Sequence, residues 1–283
     1  MSKKLKTGVI GLGRIGQIHL ANLIQYMPDA EVIIASDISE EAHQFAYQLG
    51  VPQVTTDAYE VINHPEVEAV IICSPTPYHV PYTVAAAEQK KHVFCEKPLD
   101  VPLEAIHAAE SAVQINGVKL MLGFNRRFDT NFNNVHSLVK SHKIGEPHIL
   151  RITSRDPAPP PVEYLKISGG IFLDMSIHDF DMARFIVGSE VKEVFVKGDA
   201  LIHPEIKEFG DIDTAVIVLT FENGAMKDFE QLGGKELSFN NLRDMDLCWK
   251  VVTEFKEEMA CCAVKHSTPC GVAIGTSALE TYQ

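Results

Sequence analysis

The chain has 283 residues, 46% hydrophobic and 22% charged, with 25 basic side chains against 38 acidic ones and a formal net charge of −13. These fractions exclude wholesale disorder and suit one large domain or two ordinary ones. So acidic a chain repels phosphate backbones unless it carries a basic stripe, and its only cationic run, Lys3, Lys4 and Lys6, lies at the terminus, so no nucleic-acid partner is expected. No apolar run approaches the ~20 residues that span a bilayer, which predicts no membrane partner. From Lys6 the chain passes directly into a short strand and glycines, without a signal-peptide apolar region. A cytoplasmic protein with six reduced cysteines is therefore expected.

Residues 7–11 read as a short buried strand, and residues 14–27 carry apolar side chains at helical spacing. The run Val32–Ala35 predicts a second strand leading to Asp37, followed by a helix over Glu40–Leu49. The rhythm continues with a strand at Val70–Cys73, a helix at Pro81–Gln89, a strand at Val93–Cys95, a helix at Leu103–Ile115 and a strand at Lys119–Leu122. Such alternation predicts an α/β domain over residues 1–123: a doubly wound parallel sheet of the Rossmann type. Pro75, Pro77, Pro98 and Pro102 all follow strands, in the loops where such sheets bind ligands.

The texture then changes. Runs rich in β-formers at His148–Thr153, Val191–Lys197 and Thr214–Phe221, with one helix at Met175–Val187, predict an α+β domain over 124–228 whose sheet is mostly antiparallel. Asn223-Gly224 reads as a hairpin turn, and the proline-rich stretch 157–161 as a stiff loop. Residues 229–283 differ again: four of the six cysteines (Cys248, Cys261, Cys262, Cys270) and the only tryptophan, Trp249, lie there.

Gly11, Gly13 and Gly16 form a GxGxxG pattern, with Arg14 and Ile15 inside it, between the first strand and the first helix. The pattern alone is weak, but here it has its structural context, with an acid at Asp37, 21 residues beyond Gly16. Gly11 permits a tight turn, Gly13 lets a pyrophosphate approach the backbone, and Gly16 lets helix and strand touch. The helix N-terminus stabilises phosphate charge. Asp37 suits a ribose diol and would repel a 2′-phosphate, which favours NAD over NADP, although Ser36 or Ser39 beside it could tolerate phosphate.

Lys97 follows the strand at Val93, on the same rim as the phosphate loop. By composition alone it is a solvated loop lysine; its place on the rim argues for facing a ligand. Asp174 and His178 are four residues apart and on a helix would share a face, where the carboxylate fixes the imidazole tautomer and raises its basicity, as a general base near neutral pH requires. A helix-capping Asp beside a surface His is the plainer reading. Asp179 and Asp181 fall on other faces and read as structural, and spacing fixes no third metal ligand for Asp174, His178 and Asp181, so no metal is expected.

Together GVIGLGRIGQIH, SPTPYH at 74–79, CEKP at 95–98, GFNRRFD at 123–129 and SGGIFLDMSIHDFDMARF at 168–185 resemble the Gfo/Idh/MocA oxidoreductases over roughly residues 5–228. Ser154-Arg155-Asp156-Pro157, followed by further prolines and SGG, is similar to their inositol dehydrogenase subgroup. The resemblance implies an NAD-dependent enzyme that oxidises a polyol hydroxyl, that of myo-inositol above all, to a ketone. In it His178 takes the proton, Lys97 stabilises alkoxide charge, and Asp174 completes the catalytic set. Arg127 and Asp156 are implied as further binders of substrate hydroxyls, and Ser74, Pro75, Thr76, His79 and Glu96 as cofactor contacts. Members commonly form tetramers, an assembly put in doubt here by the foreign C-terminus.

From about Glu230 onward the chain resembles instead the start of a transformylase domain, that of the bifunctional purine-biosynthesis protein which formylates AICAR. Lys265-His266 followed by Pro269-Cys270-Gly271 is similar to its catalytic stretch. So short a piece buries little core and is expected to be inactive, with a last helix at Ser277–Tyr282. Cys261, Cys262, His266 and Cys270 make a poor zinc set, because neighbours on a strand point to opposite faces. An alternative reading of the chain is a non-catalytic NAD-binding fusion protein.

Overall fold

The computed structural model describes residues 3–156, 165, 168–224, 259–265 and 268–275. It divides into two compact units, Met1–Lys227 and Asp228–Gln283. In the first unit, strands β1 (Leu5–Ile10), β2 (Ala30–Ser36), β3 (Val54–Thr55), β4 (Ala69–Ile72), β5 (His92–Cys95) and β6 (Leu120–Leu122) form one sheet in the order β3-β2-β1-β4-β5-β6. Every pairing in it is parallel. The chain winds one way from β1 to β3 and the other way from β4 to β6. A crevice therefore opens at the carboxyl ends of β1 and β4, where the direction reverses.

Helices α1 (Arg14–Tyr26), α2 (Glu40–Gln48), α3 (Ala58–Asn63), α4 (His79–Glu88) and α5 (Leu103–Asn116) connect these strands. Both sheet faces are covered, as a parallel sheet requires. Ile10, Ile34 and Ile72 join one buried cluster and Val9, Ala35 and Ile71 the other, so successive strand residues feed opposite cores. Each element expected in this half is present with its ends within two residues of the predicted ones. The pair β3 and α3 was not expected: two residues of strand and less than two helical turns leave no readable period, and Asp57 starts α3 by accepting from Tyr59 N at 2.8 Å.

Beyond the sheet lie helices α6 (Thr130–Lys140) and α7 (Ile177–Val187) and the antiparallel pair β7 (Val191–Asp199) and β8 (Thr214–Phe221). The α6 helix was also not expected; its start is set by Asp129, whose carboxylate accepts from Asn131 N and Phe132 N. Residues 148–153 are not a strand, which corrects the expectation for that run. Leu150 and Ile152 still point inward, against Met182, Ala183, Ile186 and Val187 of α7. β-Forming residue types suggested a strand, but a strand also needs a hydrogen-bonding neighbour, and this segment is in no sheet among the described residues. The helix expected from Met175 begins instead as a π-turn at Phe172–Ser176 and ends at Gly188, whose φ of 67° supplies the left-handed cap.

Phe221 O accepts from Gly224 N at 3.0 Å, closing the turn expected there. In the second unit, β9 (Met259–Lys265) and β10 (Thr268–Gly275) pair antiparallel. Residues 157–161, His266 and the helix expected at Ser277–Tyr282 lie outside the described residues. No helix among the described residues is long and apolar enough to cross a membrane.

Candidate active site

The glycine loop joins β1 to α1. Gly11 has φ +84°, and a side chain there would come within 2.8 Å of the Cys73 and Ser74 backbone. A Cβ on Gly16 would stand 1.9 Å from Gly11 O, so helix and loop touch as the motif requires. Nothing lies within 4 Å of a Cβ built on Gly13, the N-cap of α1, and no side chain caps that helix. Its first-turn N–H groups, including those of exposed Arg14 and Ile15, open onto this space, which fits a bound pyrophosphate.

Asp37, at the end of β2, turns its carboxylate into the loop: Oδ2 accepts from Leu12 N at 2.6 Å and Oδ1 from Ser39 N at 2.9 Å. Ser36 is buried and Ser39 is occupied as the N-cap of α2, accepting from Ala42 N at 3.4 Å. After β4, Ser74, Pro75 and Thr76 lead through a short 3-10 turn to His79, and Ser74 Oγ is buried without a hydrogen-bond partner. The His79 ring is buried between two carbonyl oxygens, Nδ1 at 2.7 Å from Pro98 O and Nε2 at 2.6 Å from Ser74 O. Burial also pushes the Cys95 thiol up to about 12, so it stays protonated beside the loops.

Lys97 reaches from the end of β5 to the π-turn, where Nζ donates to Asp174 O at 2.8 Å and to Asp174 Oδ1 at 3.0 Å. Both side chains are largely shielded, at 17% and 27% exposure, so this ion pair binds the sheet rim to the helix that carries His178. Asp211 holds the start of that helix by accepting from Ile171 N at 3.0 Å.

The sequence reading places the Asp174 carboxylate against the His178 ring; the structure gives Asp174 to Lys97, while His178 Nδ1 is buried with no hydrogen bond. The His178 pKa is lowered, chiefly by burial and then by the Lys97 and Arg126 charges. Near neutral pH its ring is uncharged.

Arg127, implied above as a hydroxyl binder, is engaged with another side chain. Its guanidinium grips Asp181 through Nε (3.1 Å to Oδ1 and 2.8 Å to Oδ2) and Nη2 (2.6 Å to Oδ1), and lies 5.0 Å from the Phe185 ring centre. Asp181 is structural, as expected. Sequence reasoning passed over the neighbour, Arg126, which bonds Asp179; that carboxylate also accepts from Ser154 Oγ at 2.6 Å. Asp156 is exposed on the wall of an open cleft of about 580 Å³, shared with Arg126, Ser154 and Met175. His19 was also missed: its Nε2 lies 2.6 Å from Glu96 Oε1. Its signal in the sequence was its position on α1, one turn beyond Gly16. Among the described residues no cluster of three or more His, Cys, Asp or Glu could hold a metal.

Comparison with known proteins agrees with this architecture. Residues 5–124 match the oxidoreductase family with NAD-binding Rossmann fold, and residues 132–231 the GFO/IDH/MocA C-terminal domain. A myo-inositol 2-dehydrogenase of Thermotoga maritima is 50% identical over 223 residues, covering 78% of this chain and 66% of the relative. The chain therefore spans just under two thirds of that protein's length. An inositol 2-dehydrogenase of Rhizobium meliloti is 36% identical over 273 residues, covering 96% of this chain and 79% of the relative.

The solved scyllo-inositol dehydrogenase of Lactobacillus casei with bound NAD(H) and scyllo-inositol superposes with a TM-score of 0.72 at 33% identity, covering 79% of this chain and 68% of that one. Residues 213–283 match the AICARFT/IMPCHase bienzyme. A bifunctional purine biosynthesis protein of Fusobacterium nucleatum is 43% identical over 119 residues, 42% of this chain and 23% of the relative. That similarity begins upstream of Glu230, where the sequence reading put its start. With glycine loop, rim lysine and paired helix in one unit of the expected topology, the chain belongs to the Gfo/Idh/MocA family of oxidoreductases.

Proposed function

We propose that the chain is an NAD-dependent inositol 2-dehydrogenase, oxidising the secondary alcohol of myo-inositol to the ketone. One observation carries the reading: the Lys97–Asp174 ion pair fastens the dinucleotide-binding rim to the helix bearing an uncharged, half-buried His178. In this proposal residues 1–123 bind NAD, 124–228 bind the polyol and 229–283 are a transformylase fragment without activity. NAD, when bound, supplies the acceptor for a hydride from the alcohol carbon.

The chain's own residues do the rest. The α1 N-terminus and Asp37 hold the dinucleotide, with Ser74 Oγ, an unpaired buried donor, as a further contact. Asp37 favours NAD because its charge opposes a 2′-phosphate, while Ser36 is buried and Ser39 already caps α2. His178 takes the hydroxyl proton, since its neutral form prevails near pH 7. The Lys97 ammonium stabilises the alkoxide charge that grows as the proton leaves, and its bonds to Asp174 hold it in place. Asp156 is offered as a hydroxyl ligand from the cleft wall.

Purified protein mixed with NAD and myo-inositol should give a rising NADH absorbance band; NAD binding without turnover on any inositol isomer would overturn the proposal. That outcome is the second reading, a non-catalytic NAD-binding protein, and one observation favours it. Among the described residues β7 and β8 form a sheet of only two strands, with Val194 and Phe195 60% and 63% exposed.

A further inference from the structure

Two histidines that touch neither end of the Lys97–Asp174 pair grip the loop that carries Lys97. On one side, His79 stands buried between the loops after β4 and β5, its ring nitrogens 2.6 Å from Ser74 O and 2.7 Å from Pro98 O. Both neighbours are acceptors only, so the ring spends every N–H it carries on these backbones and keeps none for a ligand. On the other side, His19 of α1 bonds Glu96 Oε1 at 2.6 Å and packs edge-on against Phe94 at 5.0 Å. The second oxygen of Glu96 accepts from Lys97 N at 3.3 Å. The Glu96 side chain is itself confined, since a Cβ on Gly123 would come within 2.8 Å of it. Lys97 thus sits between two held residues, Glu96 tied to the phosphate-binding helix and Pro98 tied to the β4 loop.

We infer that His19 and His79 are positioning residues, which fix the Lys97 ammonium at its place on the rim. His79 then serves the site through Lys97 and the Ser74 loop rather than by touching a cofactor. The inference rests on the reading of Lys97 as catalytic. Misplacing a catalytic group by an ångström can cost a hundredfold in rate, so a rim loop held by one strand end alone would be a poor support.

The test reads Lys97 itself and needs no turnover. The full chain is reductively methylated with formaldehyde, and the labelling rate of each lysine is followed by peptide mass spectrometry. Lys91, at the other end of β5, is an internal control: its Nζ is bonded to His64 O and Val67 O at 2.9 and 2.6 Å.

In His79→Phe, which keeps a ring without N–H groups, and in His19→Ala, Lys97 should label about fivefold faster, the factor carried by one ordinary net hydrogen bond. Lys91 should keep its wild-type rate. His19→Gln, which restores a donor to Glu96, should bring Lys97 back toward wild type. His19 is partly exposed, so its variants stay informative if His79→Phe does not fold. An unchanged Lys97 rate in the His19 variants would overturn the inference, and so would Lys91 and Lys97 rising together, which marks general loosening. Absence of inositol oxidation by the wild-type chain would count against the function proposed above and leave this result readable by itself.

Discussion

At His178 burial and two nearby cations act in the same direction, and Asp179 and Glu96 only partly offset them. Activity should therefore hold as pH falls to 6.5, the ordinary imidazole value, and decline only below it. A pH profile of kcat/KM with an acidic midpoint above 6.5 would contradict the assigned cause. The same shift bears on stability: between the lowered value and 6.5 the unfolded chain binds more protons, so the His178 contribution favours folding above that window and is lost as pH falls through it. His178→Ala should lower turnover by ~10²–10⁴ with NAD affinity nearly unchanged by calorimetry. At Asp37 the expected outcome is a change of cofactor. Asp37→Ser combined with Ile38→Arg, at a side chain already 90% exposed, should shift preference toward NADP. Equal affinity of the wild type for both dinucleotides would remove that role from Asp37.

Between elements, two neighbouring arginines do different work. Arg127 joins the β6–α6 connection to α7 through a bidentate pair with buried Asp181, so Arg127→Ala should lower stability by about 1–3 kcal/mol, with Asp181 left unpaired. Arg126→Ala should instead raise the His178 pKa, moving the acidic limb of the pH profile upward while the denaturation midpoint changes less. GFNRRFD showed two adjacent cations and no means of telling which one faced inward. Apart from β3 and α3, the Rossmann half was legible because its strands and helices alternate as distinct apolar runs and glycines mark the first turn. Asp174 and His178 were legible as a pair but not in their partners: a π-turn gives no spacing signal, and Lys97 lies 77 positions from Asp174. His19 and Glu96 were equally remote from one another, joined only by the sheet. The segment 148–153 shows the reverse limit, since residue types that favour strands do not report whether a neighbouring strand exists.

For the whole molecule, the proposed dinucleotide site draws on elements that all precede Pro98, in a sheet whose two described core clusters consist of residues of the first unit. Truncation after Asp228 should leave NAD affinity within a few-fold, and the full chain should not formylate AICAR. Loss of NAD binding on truncation would show that the tail belongs to the site. Val194, Phe195 and Val216 are more than half exposed on β7 and β8, so light scattering should show irregular association rather than one defined tetramer. In the proposed function this rim and this helix together carry out hydride transfer from an inositol carbon. Its most direct test is to incubate the full chain with NAD and myo-inositol deuterated at the carbon to be oxidised, and to measure deuterium in the reduced dinucleotide by mass spectrometry. One deuterium per molecule of NADH formed is expected; no reduced dinucleotide, or reduced dinucleotide without deuterium, would rule this hydride transfer out.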